Sequence, residues 1–301
     1  MDIVITGANG AVGTALLRHL RQSSGKTRLR LRALVRSAAG AATLQKLGVE
    51  IQVVDYQQPA LLRSAMAGTE ALVHLAGALI PRRGETLQQA NVETTRALVE
   101  AATATGVTTC VYLSFPGADP ASQNDYLRTK GLAEASLQQA SFAGAIFRVP
   151  LLLGPDSPAL LQLCRMARAP FLPLVSGGAV RLQPLAQADV LAAIVRVLSA
   201  PPRPLRVLDL VGPETLTYAT LLHQVCARLG TRPRILPIPG GAVRLSARVA
   251  GALLPVLAWN PSLYEILFCE HLADSTAACN ALGLTLTPVS ATLDQALSTP
   301  D

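Results

Sequence analysis

Aromatic residues are scarce in this chain of 301 residues, at 4%, and charged residues make up only 15%. The scarcity of charge, with half of the residues hydrophobic, excludes a disordered chain and allows a sizeable buried core. With few aromatics, Ala, Leu and Val must fill that core, which suits helices packed on a parallel sheet. The cysteines, Cys110, Cys164, Cys226, Cys269 and Cys279, are odd in number and include no C-x-x-C pair. That excludes a disulfide framework and a zinc site, and reads as incidental thiols in a reducing compartment. No block of like charges occurs. The net charge of +7 is spread over scattered arginines, so one phosphate site is expected and a nucleic-acid partner is not. No leader peptide is visible before the apolar run Ile3-Val4-Ile5, which points to a cytoplasmic protein. The longest candidate for a membrane span, 249–264, is uncharged but is broken by Pro255, Asn260 and Pro261 and falls short of the ~20 apolar residues a span needs. Internal repeats and low-complexity segments are lacking.

What the chain does have is a regular alternation in its first half. Apolar, β-branched runs at 2–6, 29–35, 51–54, 71–75, 109–114 and 145–149 read as strands. Helical patterns at 11–21, 38–47, 59–66, 86–105 and 124–139 lie between them. Such alternation implies right-handed crossovers and an α/β fold with a doubly wound parallel sheet. After Pro150 the pattern loosens into a Gly-Pro-Asp-Ser-Pro turn cluster and proline-broken helices, with 188–198 and 206–211 able to return to the sheet. The expected division is a domain of 1–154 joined by 186–212, and a smaller, mainly helical C-terminal lobe of 155–185 and 213–301. Ligands of such sheets bind beyond the C-terminal ends of the strands.

The first strand runs into Thr6-Gly7-Ala8-Asn9-Gly10-Ala11-Val12-Gly13 and then a helix. This G-x-x-G-x-x-G spacing has a physical reading in a Rossmann-type domain. Gly7 permits the tight turn, Gly10 lets the backbone approach a pyrophosphate, and Gly13 lets the helix lie against the strand. The helix N-terminus at Ala11 and Val12 then offers free N–H groups to phosphate oxygens. The second strand ends at Arg36, where NAD-preferring sites carry Asp or Glu for the ribose 2′-hydroxyl. A guanidinium suits a 2′-phosphate, so NADP(H) is the expected cofactor and NAD(H) the alternative.

These residues resemble the extended and atypical short-chain dehydrogenase/reductase superfamily, the NAD-dependent epimerase/dehydratase-like proteins, over nearly the whole chain. Besides the glycine loop with Asn9, the resemblance implies that Asp55 touches the adenine and that the backbone of Leu75, Ala76 and Gly77 lines the adenine ribose. It further implies that Asn91 belongs to a cofactor-side helix segment and that Arg148-Val149-Pro150 with Gly154-Pro155 lies near the nicotinamide, Pro150 contacting the cofactor. Three segments are similar to one branch, the NAD(P)-binding accessory subunit of respiratory complex I and its bacterial relatives. They are Tyr126-Leu127-Arg128-Thr129-Lys130 with Glu134, Gln183-Pro184-Leu185 with Asp189-Val190, and Gly212-Pro213-Glu214 with Thr217-Tyr218.

Tyr126 and Lys130 are four residues apart on a predicted helix and share a face. In the superfamily this Tyr is the general acid/base of carbonyl–alcohol interconversion, the Lys holds the nicotinamide ribose, and a Ser at the position of Ser114 polarises the substrate oxygen. A nearby ammonium is expected to draw the Tyr pKa down toward working pH. His74 sits on a strand without metal-ligand partners and is expected to pack; His223 and His271 fall on predicted helices, also without such partners. The basic apolar stretch 243–257, with Arg244, Arg248 and nearby Trp259 and Tyr264, reads either as a docking face for a membrane surface or subunit, or as a cover for the substrate pocket. Two functions follow. One is an NADP(H)-dependent oxidoreductase or epimerase acting on a small-molecule substrate, with apolar substrate favoured. The other is a non-catalytic accessory or assembly protein of a quinone-linked respiratory system, peripheral to the inner membrane, with structurally bound NADPH. A dinucleotide-sensing regulator is disfavoured by the Tyr-Lys pair. Family members dimerise through the helices at 86–105 and 124–139, whereas the accessory-subunit branch does not, so both monomer and homodimer are expected states.

Overall fold

A computed structural model describes residues 1–23, 29–241, 243 and 261–298. It divides into two compact units, 1–148 with 191–208, and 149–190 with 209–301.

The first unit contains β1 (Asp2–Thr6), α1 (Ala11–Ser23), β2 (Arg30–Val35), α2 (Ala38–Ala42), β3 (Glu50–Val53), α3 (Pro59–Met66), β4 (Ala71–His74), α4 (Thr94–Ala104), β5 (Thr109–Ser114), α5 (Asp125–Gln138) and β6 (Ala143–Arg148). The sheet order is Arg206–Asp209, β6, β5, β4, β1, β2, β3, and every pair from β3 to β6 is parallel. This is the doubly wound arrangement expected from the alternation, with the reversal of strand order between β1 and β4. Its inner strands are buried because helices cover them, whereas the edge strand β3 has no buried residue. Val4, Leu34, Leu72, Tyr112 and Ile146 join Leu62, Leu98 and Leu137 in one apolar cluster.

Two helices differ from the sequence expectation. The helix expected over 38–47 stops at Ala42 and resumes as a 3-10 turn, Gln45–Leu47. The long helix expected from 86 opens with a π-helical turn, Gln88–Glu93, before α4. The Thr94 N–H reaches back five residues to the Gln89 carbonyl, and the Thr94 hydroxyl donates to the same oxygen at 3.0 Å. Such wide turns are frequent at functional sites, and Asn91 lies inside this one.

The second unit begins earlier than expected, at Val149 rather than 155, and recovers 186–190 and 209–212 from the sheet domain. The reason is local pairing. Leu152–Leu153 runs beside Leu185–Ala186, and the Gly212 N–H donates to the Gln183 carbonyl at 3.1 Å. The motif segments of this unit hold its chain together. The Asp189 carboxylate accepts from the Thr287 N–H at 2.7 Å and its hydroxyl at 2.8 Å. Gln183 makes paired hydrogen bonds with the backbone of Ala273. Glu214 accepts from the Val289 N–H at 2.9 Å, and Thr217 caps the helix Tyr218–Leu229. The helices Pro158–Arg168, Tyr218–Leu229 and Val289–Leu297 contribute to a second apolar cluster around Leu163, Leu222 and Leu293. His271 lies beyond the helix Pro261–Phe268 rather than within one, its Nε2 3.3 Å from the Glu265 carbonyl. The Tyr264 ring lies 5.2 Å from Phe268, tilted by 35°, whereas 244–260, the greater part of the proposed docking stretch, falls outside the described residues.

Among the described residues no helix is long and apolar enough to cross a membrane, and no group of three His, Cys, Asp or Glu side chains could hold a metal ion.

Candidate active site

The β1–α1 turn is built for close backbone approach. Gly7 has φ +64°, and a Cβ there would meet the Ala76 nitrogen and Leu75 carbonyl carbon at 2.7 Å. A Cβ on Gly13 would lie 2.5 Å from the Gly7 oxygen and 2.7 Å from Ala8 Cα. These two glycines are therefore demanded by the protein's own packing. Gly10 is different. It is exposed, and a Cβ there would meet only the Gly7 oxygen, at 3.2 Å. The bare backbone at Gly10, followed by Ala11 and Val12 opening α1, is what a pyrophosphate requires. Asn9 lies against Gly40 of α2, its Nδ2 3.1 Å from where a Gly40 Cβ would stand. Leu75 and Ala76 are drawn to the same turn, through Leu75 N–H to Thr6 O at 3.2 Å and Ala76 N–H to Thr6 Oγ1 at 3.4 Å. Gly77 is exposed beside them.

Arg36 and Asp55 line a common cavity of about 420 Å³ with Tyr56, Glu85, Gln89 and Thr94. Asp55 accepts from the Gln57 N–H at 3.0 Å and Gln58 Nε2 at 3.3 Å. Arg36 is paired with the Glu85 carboxylate. Beneath the cavity the buried Tyr56 phenol is pushed up to about 12 by burial, with the Arg36 charge pulling the other way.

A polar row crosses the sheet interior. Thr6, His74 and Tyr112 are register partners on β1, β4 and β5. The fully buried His74 ring places Nδ1 2.8 Å from Thr6 Oγ1 and Nε2 2.9 Å from Thr95 Oγ1. It stacks on Tyr112 with centroids 5.0 Å apart. Burial, and then the Lys130 charge, hold it at about 3. Its partners are hydroxyls and an aromatic ring, which is a packing role with both nitrogens satisfied.

Asn91 is 1% exposed and spends its amide on the protein. Its Nδ2 donates to the Ala78 carbonyl and to Thr129 Oγ1, and its Oδ1 accepts from the Ala78 N–H. Asn91 therefore clamps the loop after β4 to α5. Pro150 is half-buried and belongs to the second unit. The adjoining Arg148 meets the end of the Tyr126-to-Glu134 segment. Its guanidinium grips Glu134 through Nε to Oε1 at 3.0 Å and Nη2 to Oε2 at 2.6 Å, and also donates to the Ala118 carbonyl. Two segments singled out by the resemblance thus meet in an ion pair joining β6 to α5.

Tyr126 and Lys130 both lie on α5, whose first turn is capped by Asn124. Their expected electrostatic partnership is absent. Lys130 Nζ donates to Tyr112 Oη at 2.7 Å and the Leu113 carbonyl at 2.6 Å, and stands 4.2 Å from the Tyr112 ring centroid. Burial draws the Lys130 pKa down to about 7, against the Glu134 carboxylate, which raises it. The Tyr126 ring packs edge-on against Phe115, and burial pushes its phenol well above the ordinary value. The expectation of a Lys-lowered Tyr126 is therefore corrected: desolvation wins. Ser114 ends β5, 4% exposed, and its Oγ has no hydrogen-bond partner. Tyr112 was missed by sequence reasoning, although it stands two residues before Ser114 on the same face of β5, a signal the strand period carries. Glu85 had no such signal, being 49 residues from Arg36.

A "ceramide reductase" of Caulobacter vibrioides is 29% identical over 86% of this chain and 78% of its own length. The mitochondrial NADH dehydrogenase [ubiquinone] 1 alpha subcomplex subunit 9 of Arabidopsis thaliana is 24% identical over 78% of this chain and 60% of that one. In fold, triphenylmethane reductase of Citrobacter sp., solved with NADP(H), covers 98% of this chain and 99% of its own with a TM-score of 0.73 at 21% identity. The relatives thus include both reductases and the complex I subunit that the motifs pointed to. The model of a family described as NAD(P)H-binding matches residues 7–161, from the first glycine of the loop through both β5 and α5, and the chain is a member of that family.

Proposed function

We propose that this chain is an NAD(P)H-dependent reductase acting on a carbonyl group of an apolar substrate. The observation that carries the reading is the unpartnered Ser114 hydroxyl at the end of β5. Burying a polar group without a partner costs about 1–3 kcal/mol, which Ala would avoid, so a hydroxyl there is best explained by a ligand oxygen it meets. The glycine turn fits a dinucleotide, because Gly10 is bare where the protein itself does not demand it. When bound, the reduced nicotinamide supplies a hydride. Ser114 holds the substrate oxygen by hydrogen bond, and Tyr126 gives its phenolic proton to that oxygen. A phenol held above its ordinary pKa stays protonated at neutral pH and has the proton that the reductive direction needs. Lys130 adds positive charge to the site. The likeness to a ceramide reductase supports an apolar substrate.

The test is loss of NADPH absorbance with a long-chain 3-keto sphingolipid and a simple quinone as substrates. Turnover that falls roughly 10²-fold or more in Tyr126→Phe and Ser114→Ala, with dinucleotide affinity retained, supports the assignment. The engagement of Lys130 with Tyr112 and Leu113 rather than Tyr126, together with the likeness to a complex I subunit, favours a second reading. There NAD(P)H is a structural ligand of an accessory protein. Stoichiometric dinucleotide binding without turnover on either substrate class would select it.

A further inference from the structure

The Arg36 guanidinium is the group expected to hold the 2′-phosphate, yet its Nη1 donates to Glu85 Oε1. The side chains are 31% and 19% exposed respectively, so the pair is partly screened from water. Glu85 does not reach Arg36 by a chance rotamer. Its backbone N–H donates to the Arg82 carbonyl at 3.0 Å, and its Oε2 accepts from the Arg82 N–H at 3.4 Å. Gly84, at φ +83°, makes the turn between them. The carboxylate is thus presented by a closed turn to a cation across a shared cavity of about 420 Å³. Two other carboxylates line that cavity: Asp55, which spends its oxygens on Gln57 and Gln58, and the exposed Glu93.

We propose that Glu85 is a specificity-determining residue that lowers the affinity for NADPH relative to NADH by occupying Arg36. This deepens the dinucleotide reading and rests on it. A 2′-phosphate brings close to two negative charges at neutral pH. To reach Arg36 it must displace the Glu85 carboxylate and then lie near it, and both steps cost free energy. NADH makes no such demand, and its ribose 2′-hydroxyl can donate to Glu85 as it does to the acidic residue of NAD-preferring sites. The position after β2 reads as NADP-selective, but the ion pair makes it close to neutral in charge and levels the preference.

The experiment is fluorescence titration of the whole chain with NADPH and NADH, for wild type, Glu85→Gln, Arg36→Met and the double variant, with thermal melts to check folding. Glu85→Gln is expected to tighten NADPH about fivefold, the range of a partly exposed ion pair, without tightening NADH. Arg36→Met is expected to weaken NADPH alone, and the gain from Glu85→Gln is expected to shrink in the Arg36→Met background. The Glu85→Gln gain should fall as salt is raised, because it is electrostatic. An unchanged NADPH-to-NADH ratio in a folded Glu85→Gln that still binds both dinucleotides overturns the proposal and leaves the dinucleotide reading intact. Binding of neither dinucleotide by the wild type overturns both.

Discussion

Glu134→Gln removes the carboxylate charge from α5 while keeping the size of the side chain, and so isolates the ion pair with Arg148. Glu134 is 3% exposed, and the Arg148 side chain 25%. Two N–H···O bonds, at 3.0 and 2.6 Å, join them. Breaking a buried pair by removing one partner leaves an uncompensated charge and costs about 3–5 kcal/mol. The partial exposure of Arg148 places the expected loss at the lower end, about 3 kcal/mol, or a fall in Tm of about 5 °C for a chain of this size. Urea unfolding followed by circular dichroism reads this as a lower midpoint. The double variant Glu134→Leu/Arg148→Met removes both charges and is expected to recover to within about 1 kcal/mol of wild type. Because the Glu134 charge raises the Lys130 pKa, Glu134→Gln also shifts any activity limb that depends on Lys130 charge to lower pH. A loss below about 1 kcal/mol in the single variant, or a double variant as unstable as the singles, would refute the assignment of this pair as the tie between β6 and α5.

The glycine loop offers a paired test. Gly13→Ala drives a Cβ to 2.5 Å from a backbone oxygen, so it should cost about 1–3 kcal/mol of stability as well as dinucleotide affinity. Gly10→Ala meets nothing closer than 3.2 Å, so melts should be nearly unchanged while affinity falls more than ~10-fold. His74 sets an acid limit on the fold. The unfolded chain protonates this ring near 6.5, whereas burial holds it neutral down to about 3, so its stabilisation is complete above about pH 6.5 and is lost as pH falls toward 3. His74→Gln should flatten that limb relative to wild type when urea midpoints are compared across pH, and an identical pH dependence would show that another group controls it.

The strand–helix alternation, the parallel sheet and the glycine turn were legible because each is local. A strand of Val and Ile, a turn needing φ +64° at Gly7 and an amphipathic helix are each specified within a dozen residues. The helical spacing of Tyr126 and Lys130 was legible too, since four residues return to one face. Partner choice was not. Which side chain Lys130 meets depends on β5 packing against α5, and there Tyr112 takes the ammonium. The division between units likewise follows from pairings at a distance, such as Leu152–Leu153 with Leu185–Ala186.

By itself, then, the sequence determined where backbone can bend, where it can be approached and which faces are apolar, because those depend on residue type and period alone. Only the tertiary structure decided which charges meet. Glu85 reaches Arg36 across 49 positions and Glu134 reaches Arg148 across 14. Coulombic and desolvation energies depend on distance and burial in space, and the order of residues along the chain contains neither.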